Sequence, residues 1–313
     1  MKVTIRPLKE DDLPAADKVF RLAFGTLAGL PVPIKFGGDT DYVRTRWLAD
    51  PKAAFVADAD GKPVGSIFAT NWGSVALVGP LTVHPNVWDK AVGTRLLEPT
   101  MELLKRWKPT HAGLHTVVHS AKHVSLFRKF GFWPRCLIEV MSKPIHETKP
   151  ERDAELFSEL SADEKTGTLK ACRQVTDSLY EGLDLGREIR AVERDGLGDT
   201  VLLYDDETLI GFAVCHWGPG TEAGSGRCYI KFGAVRREPD SGKQFERLIK
   251  TCEVLAAARG ASQLVAGVNT ARNEACRAMI AHGFYTESVG VAMHKPYKPA
   301  YNLNDVYIID DWR

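Results

Sequence analysis

Alternating apolar and polar positions predict strands and amphipathic helices in a regular order along the first half of the chain. AAFVADADGKPVGSIFATNW (residues 53–72) predicts two strands joined by a turn at Asp60-Gly61, and VALVGPLTVHP (75–85) predicts a third strand. VGTRLLEPTMELLKRW (92–107) has apolar residues at helical spacing, LHTVVH (114–119) is β-branched and strand-like, and SAKHVSLFRKFGF (120–132) predicts a short helix. The half is therefore predicted to mix strands and helices.

The second half repeats this order. TVLLYDDETLIGFAVCHW (200–217) predicts a hairpin, RCYIKFGAVRRE (227–238) a strand, GKQFERLIKTCEVLAAARG (242–260) a helix, QLVAGVN (263–269) a strand and ARNEACRAMIAHGF (271–284) a helix. Val83 matches Val235, Leu96 matches Leu248 and Gly131 matches Gly283, all at one offset of 152. Three matches in register indicate an internal duplication.

The boundary between the halves is predicted in SKPIHETKPERD (142–153), which has two prolines and mixed charge. We therefore expect two tandem domains, residues 1–145 and 152–313, each an α/β unit with a mixed sheet. SADE (161–164) has the spacing of a capping box and predicts a helix after the boundary.

Composition narrows the class of protein. The 313 residues carry a formal net charge of +1, so we expect neither a nucleic acid nor an anionic membrane as a partner. The six cysteines include no C-x-x-C pair and are expected to be buried thiols. The start of the sequence lacks the apolar core of a signal peptide, so a cytoplasmic location is expected.

HAGLHTVVHSAKH (111–123) places four histidines at intervals of four, a spacing that binds metals on a helix. Its β-branched centre predicts a strand instead, with His119 at the strand's end and His111 before it. Residues four apart on a strand lie about 13 Å from each other, too far to share an ion. No metal is therefore expected, and a metal hydrolase is the least favoured function.

LTVHPNVWDKAVGTRLLEP (81–99) predicts a strand, a loop of small residues and the start of a helix. The free N–H groups of a helix start form an anion site, and small side chains at Ala91 and Gly93 would let a pyrophosphate approach the backbone. An ordinary strand-to-helix turn is the alternative.

Residues 88–93, WDKAVG, resemble the acyl-CoA signature Q/R-x-x-G-x-G/A of the GCN5-related N-acetyltransferases (GNAT), with Trp88 in place of Gln or Arg and Ala91 in place of the first Gly. The element order of both halves is similar to that family too, which implies a tandem GNAT fold and acetyl-CoA as cosubstrate. In the second half Phe245 replaces Gly93, so the resemblance implies no cofactor loop there.

The resemblance implies a set of cofactor contacts in the first half. The strand before the signature would splay from the next one, and its backbone would pair with the pantetheine arm. The pyrophosphate would lie on the loop that follows, and the next helix would border the thioester. The implied residues are Leu81, Thr82, Val83, Trp88, Asp89, Lys90, Ala91, Val92, Gly93, Thr94, Ser120, His123, Leu126 and Phe127.

The resemblance also implies the chemistry. The N–H of Val83 would stabilise the oxyanion, and His84 or His119, or Glu139 on the strand after the short helix, would take the proton of the amine. The family's usual acid is a Tyr, but Phe127 and Met279 stand at that position, so the acid stays open. Aromatic residues of the segment 24–47, with Trp72, are expected to contact substrate or to anchor that segment to the core; they are Phe24, Phe36, Tyr42 and Trp47.

The expected function is transfer of an acetyl group from acetyl-CoA to a primary amine of a small molecule, by direct attack in a ternary complex. The alternative is an acyl-CoA or small-molecule binding protein without turnover. The amine, the acyl-chain length and the choice between monomer and homodimer stay open.

Overall fold

The computed structural model describes residues 2–145 and 155–313. The first half contains β1 (Val3–Pro7), α1 (Leu13–Leu27), α2 (Tyr42–Ala49), β2 (Ala54–Ala59), β3 (Lys62–Trp72), β4 (Val75–Val83), α3 (Val92–Trp107), β5 (His111–Val117), α4 (Ala121–Lys129) and β6 (Trp133–Pro144). The second half contains β7 (Glu155–Leu156), α5 (Ala162–Asp177), α6 (Gly186–Arg194), β8 (Gly198–Asp205), β9 (Thr208–Gly218), β10 (Gly224–Val235), α7 (Ser241–Ala258), β11 (Gln263–Asn269), α8 (Asn273–Ala281) and β12 (Tyr285–Lys295), and is followed by β13 (Ile308–Ile309).

The order of elements is the same in both halves, as the periodicity predicts. Asp60 and Gly61 both have positive φ, 52° and 82°, which suits the tight turn predicted between β2 and β3. Gly131 and Gly283 share a φ of 85° after α4 and α8. These glycines end equivalent helices in the left-handed conformation that a side chain would strain. The capping box predicted at 161–164 is present at the start of α5.

Within the described residues, the strands form one continuous mixed sheet in the order β1-β2-β3-β4-β5-β12-β6-β11-β10-β9-β8-β7, and β13 pairs with β10. Both neighbours of β6 belong to the second half, and both neighbours of β12 belong to the first half. The halves therefore exchange their last long strands. The sheet crosses the predicted boundary instead of ending there.

Helices cover both faces of the sheet because strand side chains alternate between faces. In β3, Ile67 packs into the core beneath α3, whereas its neighbour Phe68 packs against Phe20 of α1. In the second half, Leu248 of α7 lies in one core and Ile189 of α6 lies in another. No helix in residues 2–145 or 155–313 is long and apolar enough to cross a bilayer.

The structure differs from the sequence predictions for His111, His119 and the boundary segment 142–153. His111 does not precede β5 but begins it, and it is buried. His119 does not end the strand, because β5 stops at Val117 and His119 lies in an exposed turn. Of the boundary segment, residues 142–144 belong to β6, and residues 146–153 lie outside the described part of the chain.

Candidate active site

β4 and β5 separate after a short parallel contact. Their pairing runs from Val75 opposite His111 to Leu77 opposite Gly113 and goes no further. On its other edge β4 stays paired with β3, but the register shifts between Val78 and Leu81, at Gly79-Pro80. The extra residues bend β4 away from β5. The result is a wedge-shaped space, the first-half cleft, between β4 beyond Leu77 and β5 beyond Gly113.

The backbone groups on the cleft side of β4 follow from the alternation of hydrogen bonds along a strand. The N–H of His84 donates to the carbonyl of Val64 at 2.9 Å, towards β3. Thr82, two residues earlier, also points towards β3, and its hydroxyl lies 3.0 Å from that of Ser66. Leu81 and Val83 therefore present their backbone to the cleft, whereas Thr82 does not, contrary to the expectation that all three do.

The Trp88 side chain forms a hydrogen bond with one of these backbone groups. Its indole Nε1–H donates to the carbonyl of Val83 at 2.7 Å, where the sequence signature predicts Gln or Arg. The side chain fastens the loop that follows β4 to the end of the strand. The N–H of Val83 is left as the cleft-facing donor.

The loop from Trp88 to Ala91 leads directly into α3. Asp89 and Ala91 have φ of 64° and 56°, the left-handed region that favours glycine. Ala91 is the N-cap of α3 and offers no side-chain hydrogen bond, so the first-turn N–H groups remain available for an anion. A Cβ on Gly93 would lie 3.2 Å from Leu126 Cδ2, closer than ordinary contact. Backbone and small side chains therefore form a cradle at this end of the cleft.

Charges around the loop are mixed. Lys122, in the first turn of α4, lies 2.5 Å from Asp89 and 5.8 Å from the centre of the Trp88 ring. This ammonium neutralises the one acidic side chain of the loop, and Lys90 and Arg95 add positive charge beside the helix start. The cradle is therefore compatible with a phosphate.

The equivalent cleft of the second half is filled by the chain itself. β10 and β11 also share a short parallel contact, from Arg227 opposite Gln263 to Tyr229 opposite Val265. Beyond it, β13 pairs with β10, placing Ile309 opposite Gly233. Residues 306–313, here called the arm, thus run along the edge of β10 that corresponds to the open edge of β4.

The arm also covers the second helix start. The Tyr307 ring lies 5.3 Å from that of Phe245, the residue equivalent to Gly93, and its hydroxyl lies 3.0 Å from a Cβ built on Gly242. Phe245 is fully buried. A phosphate at this helix start would meet the Phe245 and Tyr307 side chains, and the absence of a cofactor site in the second half stays a prediction.

The two histidines predicted beside the cofactor lie on different segments, His84 directly after β4 and His123 in α4. His84 Nδ1 accepts a hydrogen bond from the Asn86 N–H at 3.2 Å, so a neutral His84 carries its proton on Nε2 and acts as a donor. His123 lies in the first turn of α4, where burial and then Lys122 lower its pKa. Ser120 caps that helix through the His123 N–H, and Phe127 is buried beneath it.

The aromatic residues of the segment 24–47 mostly support structure. Phe24 stacks on Phe36 at 5.5 Å between ring centres, and Tyr42 stacks on Phe20 at the same distance. Trp47 donates to the carbonyl of Leu8. Trp72 is buried and donates to Glu188 at 3.3 Å.

Sequence reasoning missed a contact between β5 and the arm. His115 Nδ1 lies 3.0 Å from the carbonyl oxygen of Asp311, and the Trp312 ring packs directly on Gly113. The arm therefore joins the filled second cleft to the open first one. The partial alternation of apolar and polar residues in 301–313 predicts a final strand or arm, but no local pattern indicates its contact with β5.

Residues 28–132 match the sequence model of the acetyltransferase (GNAT) family. Among solved structures, a protein from Pyrococcus horikoshii with a provisional acetyltransferase assignment is similar to the chain, with a TM-score of 0.70, 16% identity and coverage of 99% of this chain and 95% of that one. A GCN5-related N-acetyltransferase from Sphaerobacter thermophilus is similar at a TM-score of 0.58 and 16% identity, covering 93% and 95%. The chain has the GNAT fold.

A third similar structure is a GCN5-related glucosamine N-acetyltransferase region of a fungal GH3 β-N-acetylglucosaminidase. It has a TM-score of 0.61, 14% identity and coverage of 94% of this chain and 38% of that one. No curated protein sequence matches the chain. Because the matched residues 28–132 contain the first-half cleft, its wedge and its cradle belong to the part of the chain with the GNAT signature.

Proposed function

We propose that this protein is an N-acetyltransferase that moves an acetyl group from acetyl-CoA to a primary amine of a small molecule, with the first-half cleft as its active site. The observation that carries the proposal is internal to the chain. The edge of β10 that pairs with β13 corresponds to the edge of β4 that lines the first-half cleft. An extended chain therefore fits this edge in the second half, and the pantetheine arm has the same extended shape.

In this proposal the cofactor lies along β4 and ends on the cradle. The backbone of Leu81 pairs with a pantetheine amide, the N–H of Val83 faces the thioester oxygen, and the pyrophosphate accepts from the N–H groups at the start of α3. Lys90, Arg95 and Lys122 supply charge around the phosphates. Thr82 contributes no backbone bond, because its peptide groups point towards β3. The two halves are proposed to be tandem GNAT-like units, of which one binds acetyl-CoA.

The proposed reaction is a direct attack. The amine nitrogen adds to the thioester carbonyl carbon, the oxyanion accepts from the Val83 N–H, and the C–S bond then breaks. The ammonium proton passes to water or to His119, which stays a candidate base. His84, with Nδ1 engaged, suits donation from Nε2 to the leaving thiolate better than proton removal.

A second function, binding of acyl-CoA without turnover, is favoured by one observation. Phe127 is buried at the position where the family carries its acidic Tyr, and it has no proton to donate. Thiol release from acetyl-CoA in the presence of a panel of primary amines separates the two. Tight CoA binding with no release on any amine would favour the binding protein.

The cofactor site is tested with Gly93→Phe, which copies the residue of the second half. We expect CoA affinity, measured by titration calorimetry, to fall at least about 100-fold, because the ring would fill the cradle. Lys243→Ala, at the position equivalent to Ala91, is the matched control and should bind CoA as the natural protein does. Unchanged affinity in Gly93→Phe would contradict the assignment.

A further inference from the structure

A cavity of about 330 Å³ lies between the two halves, where residues 36–42 meet the first residues of β10 and β11. We call it the interhalf cavity. Phe36 and Tyr42 come from the first half, Tyr229 and Val265 from the second, and Arg313 from the arm. The volume is at the lower end of the range for small-molecule sites.

Two side chains of the interhalf cavity, Arg313 and Tyr42, have hydrogen-bond donors that the described part of the chain leaves unused. Arg313 donates from Nε to Asp311 at 2.7 Å, and its guanidinium lies over the Tyr229 ring at 4.4 Å. Its buried Nη2 has no hydrogen-bond partner among the described residues, although it lies 2.7 Å from the same carboxylate oxygen. The Tyr42 hydroxyl makes no hydrogen bond with the described part of the chain. Burial raises the pKa of Tyr42, so that hydroxyl keeps its proton at neutral pH.

The acidic side chains at the cavity are already committed. Glu222 is fully buried and holds Arg46 at 2.7 Å and Lys231 at 2.8 Å. Asp39 accepts from the hydroxyl of Ser225 and from its N–H. Asp39 keeps its charge but is exposed to solvent, and the buried Asp311 is taken up by Arg313 at 2.7 Å. An anion deeper in the cavity would meet the remaining N–H groups of the Arg313 guanidinium and the Tyr42 hydroxyl. Phe36 and Val265 supply apolar wall, and the charge of Arg227, also in the lining, is paired with Glu287 at 2.5 Å.

We propose that the interhalf cavity is a second ligand site that takes a small organic carboxylate with a compact apolar body. The carboxylate accepts from Arg313 and the Tyr42 hydroxyl, and the apolar body packs against Phe36 and Val265. An arginine beside an aromatic ring suits this class, because its planar fork binds both oxygens of a carboxylate.

The site is separate from the first-half cleft. None of the residues that line the cavity belongs to β4, β5 or the loop that leads into α3. The filled second-half cleft lies beside the cavity, so the bound carboxylate meets no acetyl donor there. The proposal is therefore independent of the acetyl-transfer reaction.

Titration calorimetry with benzoate and phenylacetate tests the proposal, with benzamide and phenylacetamide as matched neutral probes and saturating CoA present throughout. We expect at least one carboxylate to bind at millimolar concentration or better, and its amide about tenfold more weakly. Tyr42→Phe should weaken carboxylate binding about threefold to tenfold, and Arg313→Gln should weaken it further. Lys105→Gln, on an exposed pair with Glu102, is the control and should leave binding unchanged.

The outcomes are decisive in both directions. If neither carboxylate binds, if each amide binds as well as its acid, or if Tyr42→Phe binds like the natural protein, the proposal is wrong. Because Arg313 also pairs with Asp311, its variant is used only if its melting temperature matches the natural protein. Tyr42→Phe removes a single unpaired hydroxyl, so this variant tests the proposal even if the Arg313 variant cannot be used.

Discussion

The N–H of Val235 donates to the carbonyl of Tyr307 at 3.4 Å, and the equivalent N–H in the first half is that of Val83. The same backbone donor thus binds the chain's own arm in one half and faces an open cleft in the other. We therefore expect one CoA per chain, measured by titration calorimetry or native mass spectrometry. A stoichiometry of two would show that CoA displaces β13.

The left-handed backbone at Ala91 predicts a stabilising substitution. A side chain at a φ of 56° is strained, and glycine removes that strain. Glycine also raises the conformational entropy of the unfolded chain, which offsets part of the gain. We expect Ala91→Gly to raise the free energy of unfolding in urea by about 0.5–1 kcal/mol. Ala121→Gly, at the regular first residue of α4, should lower it instead. A loss of stability in Ala91→Gly would argue against the left-handed conformation.

The indole of Trp88 predicts a kinetic effect. Trp88→Phe keeps an aromatic ring but leaves the Val83 carbonyl without its donor at 2.7 Å. One neutral hydrogen bond is worth about 0.5–1.5 kcal/mol, so kcat/KM for acetyl-CoA should fall about threefold to tenfold in a thiol-release assay. Trp107→Phe at the end of α3 provides the control. Equal values for Trp88→Phe and the natural protein would mean that this bond does not hold the strand end.

Two buried histidines predict acid sensitivity. The rings of His111 and His294 lie 5.0 Å apart, and burial lowers the pKa of His111 to about 3 and that of His294 to about 4, from 6.5. Because the folded pKa values are depressed, the unfolded chain takes up protons first as pH falls below 6.5. Stability is fully present above that pH and decreases by up to about 1.4 kcal/mol per pH unit for each histidine down to its folded pKa.

Urea unfolding between pH 7.5 and 5 measures this loss. His111→Gln removes one of the two groups. Below pH 6.5 it should reduce the slope of the unfolding free energy against pH by up to about 1.4 kcal/mol per pH unit, the contribution of one proton. Val118→Ala, in the exposed turn after β5, removes no titrating group and is the control that should leave the slope as it is. Parallel curves for His111→Gln and the natural protein would place the acid sensitivity elsewhere.

Local elements follow from the sequence because their signals are local. The apolar spacing of residues 92–107 coincides with α3, and Ser120 caps α4 as predicted. The exchange of β6 and β12 does not follow from any local signal, because an apolar strand has the same pattern whichever strand lies beside it. The sequence thus indicates what each segment becomes but not which half it pairs with.

Part of the candidate site can likewise be predicted from the sequence, and part cannot. The cradle is visible as small residues between a strand and a helix, and its left-handed Ala91 explains why the family prefers glycine there. The position of His115 is set by the arm, nearly two hundred residues away in the sequence. Spacing along β5 carries no information about that contact.

Because β6 and β12 are exchanged, the strands that are joined covalently within one half are not the strands that pair by hydrogen bonds. Covalent continuity runs through residues 146–154, whereas β6 finds both of its hydrogen-bonded neighbours in the other half. A proteolytic cut in that segment would sever the polypeptide without removing a strand pairing among the described residues. Two fragments produced separately would each expose the unpaired strand edges that the other covers, so the two halves complete each other's part of the sheet.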